Sequence, residues 1–253
     1  MSLRAGLWVE EGGSGAPTLV LLHGLGGNAA VWEKLLPIIQ ARWRGRWLAP
    51  DLPGHGRSPH WPPYSLGRHA AAVAGLFEPG EKVVVLGHSM GGAVAIALAS
   101  GWFGVEVARV VAFGVKLVWS EEEIAKGRAL AQAPARRFPT RAEAVERYLR
   151  VAGLAGLIEP QSSAAQAGVV AEGGDFRLAS DPRISEVVGA PTDQIIAAMR
   201  APLRLAAGAR DGMVTLDHMR RFDPAAQLID DAGHNPHVEA PARLWRVVEE
   251  ALP

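Results

Sequence analysis

The chain has 253 residues, 49% hydrophobic and 21% charged, with 26 basic against 26 acidic side chains and no cysteine. That composition fits one globular domain of the larger kind and excludes a disordered chain, a collagen or a coiled coil. Zero net charge leaves no global field to draw nucleic acid or an anionic membrane, and the absent cysteines remove disulfides, thiolate metal sites, iron–sulfur clusters and thiol nucleophiles together.

The opening stretch MSLRAGLWVEEGGSGAP lacks the apolar run of a secretory signal. An apolar run at Thr18–Leu22 reads as the first buried strand and is followed by a helical segment over 30–40. Further strands are expected at 47–49, 82–86, 107–113, 203–207 and 226–229, with helices at 66–77, 89–100, 216–222 and 241–252. The strands are rich in Val and Leu without clean polar alternation, the pattern of parallel strands covered on both faces. The longest apolar run, 83–99, is broken by Gly87, His88, Ser89, Gly91 and Gly92. It reads as a buried strand entering a buried helix, not as the span of about 20 apolar residues that a membrane requires. A cytoplasmic protein with a small-molecule substrate is expected, with no membrane or nucleic-acid partner; a homo-oligomer stays open.

Between 115 and 200 the rhythm changes. Strand-like runs vanish, and two helix starts carry capping boxes, at Ser120 to Glu123 and Thr140 to Glu143. The expected organisation is a core of residues 1–114 and 201–253, with a small helical cap or lid of residues 115–200 inserted between two strands. Strand–helix alternation around such an insertion argues for an α/β protein with a mostly parallel sheet, whose ligands bind beyond the C-terminal strand ends.

Gly87-His88-Ser89-Met90-Gly91 matches G-x-S-x-G. In a chain with 29 glycines the pattern alone carries little. Its setting carries more, because a strand precedes it and a helix follows. A serine on such a sharp turn projects its hydroxyl clear of the sheet, and flanking glycines avoid clashes with neighbouring backbone. A serine hydroxyl needs a base. For a nucleophile of this kind the order is serine, acid, histidine, which leaves His218, His234 and His237. His218 sits in a helical segment, whereas His234 lies in the turn-rich loop DDAGHNP after a strand. His234 is therefore the expected base and His237 a structural neighbour. Asp211, one short turn beyond the 203–207 strand, is the expected acid; Asp217 falls on a helix, and Asp230 and Asp231 are too near His234 in sequence. An oxyanion would be held by the backbone N–H of Met90 and of Leu25, the latter in the glycine-rich turn His23–Gly27.

The segments HGLGG (23–27), DLPGHGRS (51–58), GHSMGG (87–92), GARD (208–211) and GHNPHVEAP (233–241) together resemble the signatures of the α/β-hydrolase superfamily, in order and spacing. The resemblance covers about 7–114 and 201–252, while 115–200 occupies the place of that family's cap. It implies the α/β-hydrolase fold, with Ser89 as nucleophile, Asp211 as acid, His234 as base, and Leu25 and Met90 as oxyanion donors. Relatives of this fold that cleave carbon–halogen bonds or epoxides carry aspartate at the nucleophile. A serine there implies acyl transfer, and a hydrolase of small carboxylic esters, thioesters or lactones is expected. A C–C bond hydrolase or lyase on the same triad is the alternative; a cofactor-free perhydrolase and a non-catalytic receptor are weaker ones.

The Asp51–His55 turn reads as structural because of its Pro and Gly density. His234, His237 and Glu239 lack helical metal-ligand spacing, and no nucleotide-binding motif occurs. No metal and no cofactor are expected. Trp119, Phe138 and Tyr148 in the insertion are candidates for an apolar substrate pocket.

Overall fold

The computed structural model describes residues 2–252. Its strands are β1 (Ser2–Arg4), β2 (Leu7–Gly12), β3 (Thr18–Leu22), β4 (Trp47–Pro50), β5 (Lys82–His88), β6 (Glu106–Phe113), β7 (Arg137–Phe138), β8 (Val169–Glu172), β9 (Asp175–Leu178), β10 (Leu203–Gly208) and β11 (Gln227–Ile229). The helices are α1 (Leu36–Arg42), α2 (Leu66–Ala74), α3 (Met90–Leu98), α4 (Glu121–Gln132), α5 (Arg141–Val151), α6 (Ser163–Ala167), α7 (Thr192–Ala197), α8 (Leu216–Arg220), α9 (Pro236–Glu239) and α10 (Pro241–Ala251).

Eight strands form one sheet in the order β1-β2-β4-β3-β5-β6-β10-β11. β1 and β2 pair antiparallel, and β2 pairs antiparallel with β4; from β4 onward every neighbour is parallel. Both faces of the sheet are covered. Val20, Leu22, Val83 and Val85 face the layer of α2 and α3, while Leu19, Leu21, Val84 and Leu86 face Ile39 of α1 and Trp245 and Val248 of α10. Burial on two sides is why these strands read as unbroken apolar runs. The register aligns Leu22 with Gly87, His88 with Phe113, Phe113 with Ala206, and Gly208 with Ile229. The loops that leave β3, β5, β10 and β11 therefore emerge along one edge.

Several expectations are corrected. The helix expected over 30–40 is a 3₁₀ turn at Ala29–Trp32 followed by α1. Asn28 caps the turn by accepting from the Ala30 N–H, and Pro37 enters the first turn of α1, where its missing N–H costs nothing. β1 and β2 were not expected; they are short and half-polar and form the antiparallel end of the sheet. The chain leaves the main sheet after β6 and returns at β10. The segment between them is not purely helical, however: β7, β9 and β8 form a three-stranded antiparallel sheet of their own. Its hairpin turns on Gly173 and Gly174, both at positive φ (61° and 91°). A two-glycine turn of this kind is a hairpin signal that the Ala/Arg/Glu-rich surroundings masked. The Ser120–Glu123 capping box forms with both of its bonds, and the Thr140 side chain caps α5.

Candidate active site

The turn from β5 into α3 is as tight as its glycines allow. A Cβ on Gly87 would lie 2.6 Å from the Gly91 carbonyl oxygen, and one on Gly91 would lie 2.2 Å from the carbonyl oxygen of Leu22. Ser89 at its apex has φ 50° and ψ −117°. A non-glycine residue in that region is strained, and strain of this kind persists only where the surroundings enforce it. Here the Ser89 N–H donates to the Phe113 carbonyl at 2.8 Å, and the Ser89 carbonyl accepts from Ala93 at 3.1 Å. The hydroxyl is thereby turned out of the sheet into a cavity of about 470 Å³.

His234 and Asp211 line the same cavity. His234 Nδ1 and Asp211 Oδ2 are 2.8 Å apart, and the Asp211 side chain is 1% exposed against 24% for the imidazole. The second oxygen of Asp211 accepts from the Met213 N–H at 2.9 Å. The hydrogen bond of the imidazole is made through Nδ1, so Nε2 is free to face the cavity that Ser89 shares. No direct bond joins the two, a contact that in such sites tightens when substrate is held. Met90 opens α3, where its N–H has no acceptor within the helix, and Leu25 flanks Ser89 from the loop after β3.

The loop that carries His234 is held by residues to which the sequence reading gave no such role. Glu239, from α9, accepts from the Gly233 N–H at 2.7 Å and from the Asn235 N–H at 2.9 Å. His88 Nε2 donates to the His234 carbonyl at 2.8 Å. The Asn235 amide donates to the Gly153 carbonyl at 2.9 Å, tying the loop to the segment after α5. The His88 ring centroid stands 4.7 Å from that of His234 and 4.7 Å from that of His237. Burial, then repulsion from the neighbouring histidines, pushes the His88 pKa well below the ordinary histidine value and that of His237 down to about 3. Both are therefore neutral near pH 7; His237 is buried and lies along the same cavity as Ser89. The one signal for Glu239 in the sequence was its place five residues beyond His234 in a turn-rich loop.

Of the three aromatic candidates in the insertion, only Trp119 lines the cavity at Ser89. Phe138 packs against Phe176 across the β7–β9 pair and is buried. Tyr148 is 2% exposed, and its hydroxyl accepts from the Asn28 amide at 2.9 Å. Both are core residues, Phe138 on β7 and Tyr148 on the buried face of α5. The insertion walls the cavity with Trp119, residues 150–154, among them Arg150, and Val188. Among the described residues no group of three or more His, Asp or Glu side chains is disposed to hold a metal, and no helix is long and apolar enough to cross a membrane.

Comparison with known proteins agrees with this architecture. The model of a family described as the Alpha/beta hydrolase family matches residues 19–247. A pimeloyl-[acyl-carrier protein] methyl ester esterase of Edwardsiella ictaluri is 44% identical over 87 residues, a stretch that covers 34% of this chain and 32% of that protein. The first relatives of this kind are thus matched over only about a third of their own length. An esterase of the same name from Methylococcus capsulatus aligns over 98% of both chains at 28% identity. Among solved structures, E-2-(acetamidomethylene)succinate hydrolase superposes with a TM-score of 0.78 at 21% identity, covering 98% of this chain and 97% of that one.

Proposed function

The chain belongs to the alpha/beta hydrolase family, and from that premise we propose that it is a serine hydrolase of carboxylic esters. Ser89 is the nucleophile, His234 the general base, Asp211 the acid that orients it, and residues 115–200 form a cap over the site. The observation that carries the reading is the 2.8 Å contact of His234 Nδ1 with the enclosed Asp211 carboxylate, on the same cavity as a serine held at φ 50°. Relatives named as methyl ester esterases support the bond type.

In this mechanism Ser89 Oγ attacks the ester carbonyl carbon while Nε2 of His234 takes its proton. Asp211 keeps the proton on Nδ1 and stabilises the imidazolium that forms. The carbonyl oxygen becomes an oxyanion between the N–H groups of Leu25 and Met90, at the positive end of α3. The C–O bond to the alcohol breaks, and the imidazolium returns its proton to the leaving oxygen. Water, deprotonated by His234, then attacks the acyl-enzyme; the bond to Ser89 Oγ breaks, the imidazolium returns its proton to that oxygen, and the acid is released.

A fluorophosphonate probe should label Ser89, as read by peptide mass spectrometry. Ser89→Ala should lower kcat on p-nitrophenyl acetate by at least about 10³-fold with an unchanged circular dichroism spectrum. Labelling elsewhere, or retained turnover, rejects the assignment.

A further inference from the structure

Ser89 stands where two cavities of very different size meet. His234 and Asp211 line the larger, of about 470 Å³. The smaller, about 70 Å³, lies against Ser89 on the side of Leu25 and Met90, and is lined by Leu66, Ala93, Val115 and Val187. Lys116 and Thr192 also line it, but the Lys116 ammonium is paired with Glu123, so the lysine presents its methylene stem, and the Thr192 hydroxyl donates to the Ala190 carbonyl at 3.2 Å. The small cavity is therefore mainly apolar.

The reaction coordinate distinguishes the two spaces. The leaving oxygen must come within hydrogen-bond reach of His234 Nε2 to receive its proton. His234 lines the large cavity and not the small one, so the alcohol departs into the large cavity. The oxyanion points to the Leu25 and Met90 N–H groups. The remaining substituent of the tetrahedral carbon, the acyl chain, is directed into the small cavity. A cavity of about 150 Å³ holds benzene, so 70 Å³ has room for about three carbons.

Resting on the serine-hydrolase reading, we propose that the substrates are esters of short apolar acids, acetyl to butyryl, with bulky alcohols or thiols. That is the reverse of a long acid esterified to methanol, the partition that the names of the methyl ester esterases describe.

The test uses the full-length protein and two ester series. With the leaving group constant, kcat/KM for p-nitrophenyl octanoate should fall at least about tenfold below that for the butyrate, since even one misfit methylene can be worth that much. With the acid constant, benzyl acetate should exceed ethyl acetate. Val187→Ala, which widens only the small cavity, should raise the hexanoate-to-butyrate ratio at least about threefold. If the variant fails to fold, the wild-type profile decides alone. Octanoate turned over as well as butyrate, with Ser89→Ala inactive, overturns the acyl assignment and leaves the triad standing. Turnover surviving in Ser89→Ala overturns both.

Discussion

Asp211 divides its two carboxylate oxygens between two tasks. One meets His234 Nδ1 and the other takes the Met213 N–H, which fixes the carboxylate plane before substrate arrives. A neutral amide of the same shape can satisfy the Met213 N–H but cannot hold the imidazolium. Asp211→Asn should therefore lower kcat by about 10⁴-fold while shifting the melting temperature little, as read by steady-state kinetics beside calorimetry. A loss of tenfold or less would show that His234 is oriented mainly by Glu239, His88 and Asn235. The strain at Ser89 belongs to the same scale. Gly87, Gly91 and the Phe113 carbonyl hold it, which is why the motif is legible in sequence and the residues that clamp His234 are not. Glycine spacing is local, whereas the clamp on His234 joins four separate segments.

At the scale of elements, the turn after β4 braces the loop that carries Leu25. The Asp51 carboxylate is fully buried, accepts from the Ala29 N–H at 2.6 Å and pairs with Arg57 Nε at 2.9 Å. His23, on the other loop, accepts from the Leu52 N–H at 3.0 Å through Nε2 and donates from Nδ1 to the Gly24 carbonyl at 2.8 Å. That pattern needs a neutral ring, and burial lowers its pKa accordingly. Asp51→Ala would leave the backbone N–H groups of Ala29 and Arg57 without their acceptor, while the Arg57 guanidinium keeps Glu10. It should cost about 1–3 kcal/mol in urea unfolding; an unchanged midpoint would mean that the turn is held by its backbone alone. The DLPGHGRS segment was read as a structural turn from its Pro and Gly content, and its use as a brace is visible only with β3 beside it. The insertion shows the opposite limit: propensity marked its helices, but β7 and β8 are short, and each finds its partner, β9, only in the fold.

For the whole molecule, enclosure of histidines sets the response to acid. His23, His55 and His88 have pKa values lowered chiefly by burial, His69 is pushed down to about 4 and His237 to about 3. The folded state keeps these rings neutral, while the unfolded chain protonates them near 6.5. The unfolded state thus binds more protons, so stability is full above that value and falls as pH drops below it. Each such ring subtracts up to about 1.4 kcal/mol per pH unit until the pH reaches its own lowered pKa. The urea midpoint should be nearly flat from pH 8 to 7 and fall steeply from 6.5 to 5.5. An unchanged midpoint at pH 5.5 would mean that these rings accept protons without unfolding.

The features legible in the sequence alone are those set by neighbours along the chain. These are the doubly buried strands, the Gly87–Gly91 elbow at Ser89 and the helix caps. Each rests on backbone sterics or on apolar periodicity, which act over a few residues. The tertiary structure decided how Asp211 meets His234, which insertion residues line the cavity and which fill the core. Those outcomes depend on loops from β3, β5, β10 and β11 arriving at one sheet edge. Trp119 and Tyr148 are both aromatic residues at helical or near-helical positions; only packing against Asn28 on one side and Ser89 on the other separates a core residue from a wall of the site.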